Sequence, residues 1–278
     1  MTNQIYPCLW FDGNAKQAAE LYCSIFSNSK ITTDTHMVVN WELNGQKFMG
    51  LNGGPMFKIN PSISIFVVCE TEKETNEVWQ KLSEGGSAFM PLDKYAWSEK
   101  YGWVQDKFGM SWQISYGKLS DVGQKFTPSF LFAGNQYGNG EKAVKFYTSV
   151  FQPSSVAGIL LYKEGDKQPA GNLMHAQFSL LENVVMAMDG PGDFNFSEGL
   201  SLVVNCETQK EIDYYWQKLT ADGGEESMCG WLKDKYGVSW QIIPSILGEL
   251  MTDLAKGGKV MQEVMKMRKL DIEKLTNA

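Results

Sequence analysis

Two glutamines stand near the ends of one repeated phrase. Residues 102–114 read GWVQDKFGMSWQI and residues 230–242 read GWLKDKYGVSWQI, with nine of thirteen letters in common. Strand residues alternate faces, so Gln113 with Ser111, and Gln241 with Ser239, point away from the side that carries the tryptophan and the isoleucine. An amide and a hydroxyl placed there can orient a small molecule by hydrogen bonds. An amide cannot take up a proton as a general base, and it is a poor ligand for a divalent ion beside a carboxylate or an imidazole.

The other residues with chemistry to offer are few. The chain holds two histidines. In MHAQFSL, alternation puts His175, Gln177 and Ser179 on one face. His36 falls on the equivalent polar face of the other half, two residues before Val38, which aligns with His175. Each is read either as a half-exposed strand histidine or as a pocket donor or acid/base group. Asp189, in MAMDGP, reads as a turn residue. The five cysteines are odd in number and form no C-x-x-C pair, which fits reduced thiols. Cys69 and Cys206, at the ends of matching strands, read as small buried apolar residues.

The elements that must position these residues are also written twice. LYCSIF at 21–26 returns as FYTSVF at 146–151, and CETEKE at 69–74 as CETQKE at 206–211. The offset between copies runs 125, 137, 128, so the halves share one plan with different loop lengths. Each half opens with a short strand, Leu9 to Phe11 in the first, then a helix with apolar residues at Ala18, Leu21, Tyr22, Ile25 and Phe26. A hairpin follows at Asn44-Gly45, two positions that tolerate positive φ. The pattern restarts at Ser62, with a helix whose Thr71 and Glu74 have capping-box spacing, repeated by Thr208 and Glu211. The helix ends at Gly85-Gly86, and the repeated phrase closes the unit. Taking Asp106 to Gly109 as a four-residue loop sets Trp103 opposite Trp112 on the core face, a pair worth up to about 1 kcal/mol. The expected architecture is α+β, four βαβββ units in two tandem domains, 1–120 and 124–245, with a helical extension over 246–278.

Composition narrows the partners. A formal charge of −7 with no dense Lys/Arg stripe argues against nucleic acid. No apolar run approaches the roughly 20 residues needed to cross a bilayer, and the start, MTNQIYPCLW, lacks the pattern of a signal peptide, so a cytoplasmic location is expected and no membrane partner. One extra stretch in half one, SAFMPLDKYAWSEKY at 87–101, carries Tyr95, Trp97 and Tyr101. It is expected to form a loop that either walls the pocket or covers the other half.

Paired βαβββ units resemble the vicinal oxygen chelate superfamily of glyoxalases, bleomycin-resistance proteins and extradiol dioxygenases. LWFDGNAKQA with LYCSIF, WQKL with GG, and GWLKDKYGVSWQI are most similar to its PhnB-like branch, labelled demethylubiquinone methyltransferase-like. VMKMRKLDIEKL at 264–275 resembles the closing helix of that branch. The resemblance implies curved sheets with helices on the convex side and a small-molecule pocket on the concave side. It also implies an intramolecular pseudo-dimer of the two halves, because single-pair members commonly dimerise; homodimerisation of the whole chain stays open. Metal-dependent members carry a glutamate ligand where Gln113 and Gln241 stand, and a first-strand histidine that this sequence lacks. The expectation is therefore a metal-free, cofactor-free binder of an apolar or aromatic molecule. An enzyme, either a glyoxalase-like lyase or the methyltransferase of the label, is the alternative, although no glycine-rich strand-to-helix turn suggests an S-adenosylmethionine site.

Overall fold

The structure, a computed structural model, describes residues 4–278; residues 1–3, part of the start considered above for a leader, lie outside the described residues. The first unit runs β1 (Ile5–Phe11), α1 (Ala15–Ile25), β2 (Ser29–Asp34), β3 (Val38–Leu43) and β4 (Gln46–Asn52). The second runs β5 (Ile63–Cys69), α2 (Glu72–Ser83), β6 (Ser87–Tyr95), β7 (Ser98–Gln105) and β8 (Ser111–Tyr116). A short helix, α3 (Leu119–Val122), leads into the third: β9 (Phe126–Phe132), α4 (Gly140–Val150), β10 (Ser154–Leu161), β11 (Leu173–Leu180) and β12 (Asn183–Asp189). The fourth is β13 (Leu200–Cys206), α5 (Gln209–Thr220), β14 (Glu225–Glu226), β15 (Trp231–Lys233) and β16 (Ser239–Pro244), followed by α6 (Leu247–Thr252), α7 (Gly257–Val264) and α8 (Ile272–Thr276). No helix among the described residues is long and apolar enough to cross a membrane.

Local chemistry accounts for the boundaries. Asn44 and Gly45 take φ of 50° and 79°, closing the two-residue hairpin between β3 and β4. Thr208 and Glu211 form the complete capping box at the start of α5, and the Thr71 hydroxyl accepts from the Glu74 amide at 3.1 Å. β1 begins four residues earlier than the sequence suggests, because the chain stays extended through Pro7, which has no N–H to offer a ladder.

The strands form two eight-stranded mixed sheets, and each sheet crosses the boundary between the sequence halves. Sheet one is ordered β14-β15-β16-β13-β1-β4-β3-β2 and sheet two β10-β11-β12-β9-β5-β8-β7-β6. Unit one therefore shares a sheet with unit four, and unit two with unit three. The seams are antiparallel: β1 pairs with β13 from Ile5 to Leu9, and β5 with β9 from Ile63 to Val67.

Helices hold each half together from between the sheets. Tyr22 of α1 packs 5.9 Å from Trp41 on sheet one and 5.0 Å from Trp112 on sheet two. Tyr147 of α4 does the same with Phe130 on sheet two, at 5.8 Å, and Trp240 on sheet one, at 5.6 Å. The convex faces of both sheets thus contribute to one continuous apolar core, in which Trp41, Trp112 and Trp240 are fully buried.

Candidate functional site: two concave cups

The loop of the repeated phrase is one residue shorter than expected, and this decides what the cups contain. Asp106 and Met110 are themselves paired, with the Asp106 amide donating to the Met110 carbonyl, so the loop is Lys107 to Gly109 with Gly109 at φ 88°. The one-residue shift brings Trp103 opposite Gln113 and Val104 opposite Trp112. The expected Trp103–Trp112 core pair does not form; Trp103 lies on the concave face. In half two, likewise, Trp231 pairs with Gln241 and Leu232 with Trp240.

Asp106 causes the shift. Its carboxylate accepts from the Phe108 amide at 2.8 Å, the Met110 amide at 3.0 Å, the Trp112 indole at 2.8 Å and the Tyr22 hydroxyl at 2.8 Å. Asp234 repeats the arrangement with Tyr236, Val238, Trp240 and Tyr147. Burial pushes the Asp234 carboxyl up to about 6, while the four donors favour its ionised form. These carboxylates tie the hairpin to the first helix of the same half. They face the core and are structural.

On the concave face of sheet two, the Gln113 side chain is fixed at both ends. Its amide donates to the Ser64 hydroxyl at 2.6 Å and its carbonyl accepts from the Tyr101 hydroxyl at 2.8 Å. Ser111 accepts from the Trp103 indole at 2.7 Å. Tyr95 stacks on Trp97 at 5.1 Å, and both rings meet Tyr101 edge-on, at 5.9 and 6.0 Å. The 87–101 segment is thus an extension of the β6–β7 hairpin instead of a loop, since its residues pair across from Ser87–Gln105 to Tyr95–Ser98. Trp97 at its tip is 66% exposed.

His175 sits on β11 facing the cup, and burial lowers its pKa. Gln177 donates to the carbonyls of Asp121 and Val122, at 3.4 and 3.3 Å, and so holds the linker helix. His36 is not on a strand; it lies exposed in the turn between β2 and β3, where its carbonyl accepts from Asn52, and it takes no part in the cup. Asp189 ends β12 and accepts from the amides of Gly138, Gly140 and Leu173, fixing the entry to α4.

Sheet one forms the second cup. Gln241 donates to Ser201 at 2.9 Å, the counterpart of the Gln113–Ser64 bond. Tyr6, Cys8 and Val203 make its floor, with Met49, Leu51 and Ile243 around them. Burial pushes the Cys8 thiol up to about 12, so it is protonated at neutral pH. Trp10 and Trp231 meet edge-on at 6.1 Å and line the wall. No tyrosine reaches Gln241, because Cys229 stands at the position of Tyr101. The amides of Cys229 and Gly230 instead donate to the carbonyls of Met267 and Arg268, and the C-terminal helices close over Ile243. The serines that brace both glutamines share a signal in the sequence, a polar letter at the second place of each apolar run, ISIFVVC and LSLVVNC.

Among the described residues, no three His, Cys, Asp or Glu side chains converge as a metal-binding group. The family model described as 3-demethylubiquinone-9 3-methyltransferase matches residues 3–115 and again 124–243. The chain belongs to this family, twice over. As a PhnB-like protein of the vicinal oxygen chelate fold, it is similar to a putative 3-demethylubiquinone-9 3-methyltransferase, a PhnB protein, from Bacillus cereus, at 35% identity. That match covers 40% of this chain and 96% of the other, with a TM-score of 0.38. A protein from Pseudomonas aeruginosa is 23% identical over 41% of this chain and 96% of its own, TM-score 0.36. Glyoxalase I from Zea mays, at 12% identity, covers 84% of this PhnB-like chain and 89% of its own with a TM-score of 0.56, and so shares the fold of both halves together. No curated protein matches the sequence.

Proposed function

We propose that the protein binds a small apolar or aromatic molecule in its cups without a metal. The observation that carries this reading is the pair of braced, uncharged amides, Gln113 on Ser64 and Gln241 on Ser201, beneath the aromatic walls formed by Trp103 and by Trp10 with Trp231. Neutral amides under aromatic sides favour flat, uncharged ligands through apolar burial, with one or two hydrogen bonds for orientation. The aromatic cluster at Tyr95, Trp97 and Tyr101 borders one cup and the C-terminal helices border the other.

A thermal-shift screen of aromatic metabolites and antibiotics tests the reading. A ligand at a hundredfold its Kd adds about 2.7 kcal/mol, or about 5–10 °C in a chain of this size. A divalent metal copurifying in stoichiometric amount, and lost on changing Gln113 or Gln241, would overturn the metal-free part. The family's description supports an enzymatic reading as the alternative. Calorimetric titration with S-adenosylmethionine decides it, and saturable binding there would favour a methyltransferase.

A further inference from the structure

The two cups carry the same kinds of residue but differ in which polar atoms are already paired. Across sheet one, strand register sets Asn40, Met49, Cys8, Ser201 and Ser239 in one transverse row on the concave face. Across sheet two the row begins Gln177, Met186, Ser129, Ser64. In sheet two both ends are engaged: Gln177 holds the linker carbonyls, and Ser111 accepts from Trp103. In sheet one neither end is. The Asn40 side-chain Oδ1 and the Ser239 hydroxyl are both buried without a partner, and Ser239 is 1% exposed. Trp231, the counterpart of Trp103, packs against Trp10.

A buried hydroxyl without a partner costs about 1–3 kcal/mol, and native proteins leave few such groups. Two lie in a single row on a concave face with an aromatic wall, and a ligand that displaces the side chains over them would relieve both. The row between them is uncharged, since Cys8 keeps its proton; Lys233, beside Ser239, is held by Glu198 at 2.8 Å, and Lys47, whose ammonium lies 4.2 Å over the Tyr6 ring, faces Glu42 across the strands. The row's ends lie four strand spacings apart, about 19 Å along the sheet and less across the curve. In sheet two the unpartnered hydroxyl is that of Ser129, on the seam strand, where sheet one has Cys8.

We propose that the cups have diverged, and that the sheet-one cup takes an uncharged aromatic ligand whose hydrogen-bonding groups complete Asn40 and Ser239. This rests on the cups being ligand sites and adds which cup, which residues and which charge state.

The test uses the full chain with benzamide, a neutral ring-bearing probe too short to span the row and so a reader of its Ser239 end, and benzoate as its charged counterpart. Millimolar benzamide should raise the melting temperature and benzoate should not. Ser239→Ala should lose the benzamide shift, with affinity lower by up to about tenfold. Without ligand, Ser239→Ala should melt with the wild type or above it, because no internal bond is removed and the cost of the unpartnered hydroxyl goes with it, whereas Ser111→Ala should melt lower because it strips Trp103 of its acceptor. A benzamide shift that survives Ser239→Ala overturns the proposal, as does an unliganded Ser239→Ala that melts as low as Ser111→Ala. An equal benzoate response, or no benzamide response while other aromatics stabilise the protein, overturns it too. Silence from every compound in the screen would instead remove the cup reading itself.

Discussion

Asp234→Asn should destabilise the protein by about 3–5 kcal/mol, the cost of breaking a buried charged network on one side. At about 2–4 °C per kcal/mol, the melting temperature should fall by about 6–20 °C. Tyr147 and Trp240 donate to one carboxylate oxygen and Tyr236 and Val238 to the other. An asparagine has one acceptor oxygen, so whichever way it turns, its amide N–H groups face two donors in a site 2% exposed. Tyr147→Phe removes one donor of four and should cost only about 1–2 kcal/mol. Denaturant midpoints measured on both variants check the contrast, and Asp106→Asn should behave like Asp234→Asn. An Asp234→Asn protein as stable as wild type would show that the carboxylate does not hold the hairpin to the helix.

That carboxylate also marks the limit of what the letters reveal. The repeats, the helix stripes at Tyr22 and Tyr147 and the hairpin at Asn44-Gly45 were legible because each rests on local periodicity or turn chemistry. The DKFG turn was recognised, but its register depends on an aspartate whose partners include Tyr22, 84 residues away, and no local pattern shows that bond. One residue of register moved Trp103 from the core to the cup, because faces alternate with every residue. His36 had the polarity of a strand position and none of the pairing. The extension at Tyr95 and Trp97 is rich in turn-forming and polar letters, so only strand pairing reveals it as a hairpin. The glutamines were found because they recur; the bracing by Ser64 and Ser201 required knowing that β8 and β16 lie beside β5 and β13.

The partnership of the sheets was the least legible feature, and it leads to the second large effect. Residues 1–120, expressed alone, should fold and then pair as a symmetric dimer instead of remaining monomeric. The half keeps its own core, since Tyr22, Trp41, Trp112 and Asp106 all lie within it. It loses the partners of both seam strands, however: β13 along Ile5 to Leu9 and β9 along Ile63 to Val67. Two apolar strands with unpaired backbone groups would then be edges, the arrangement most prone to recruit another chain. A second copy can supply what is missing, because β5 (ISIFVVC) repeats β13 (LSLVVNC) and so offers β1 an equivalent partner. The two-fold pairing of β1 with β5 closes both seams at once. Light scattering should give twice the mass of the half, with a melting temperature that rises with concentration. In the intact chain the same pairing is intramolecular and needs no such concentration. A well-folded monomeric half would mean that the seams contribute little, and that the two cups owe their shape to each unit separately.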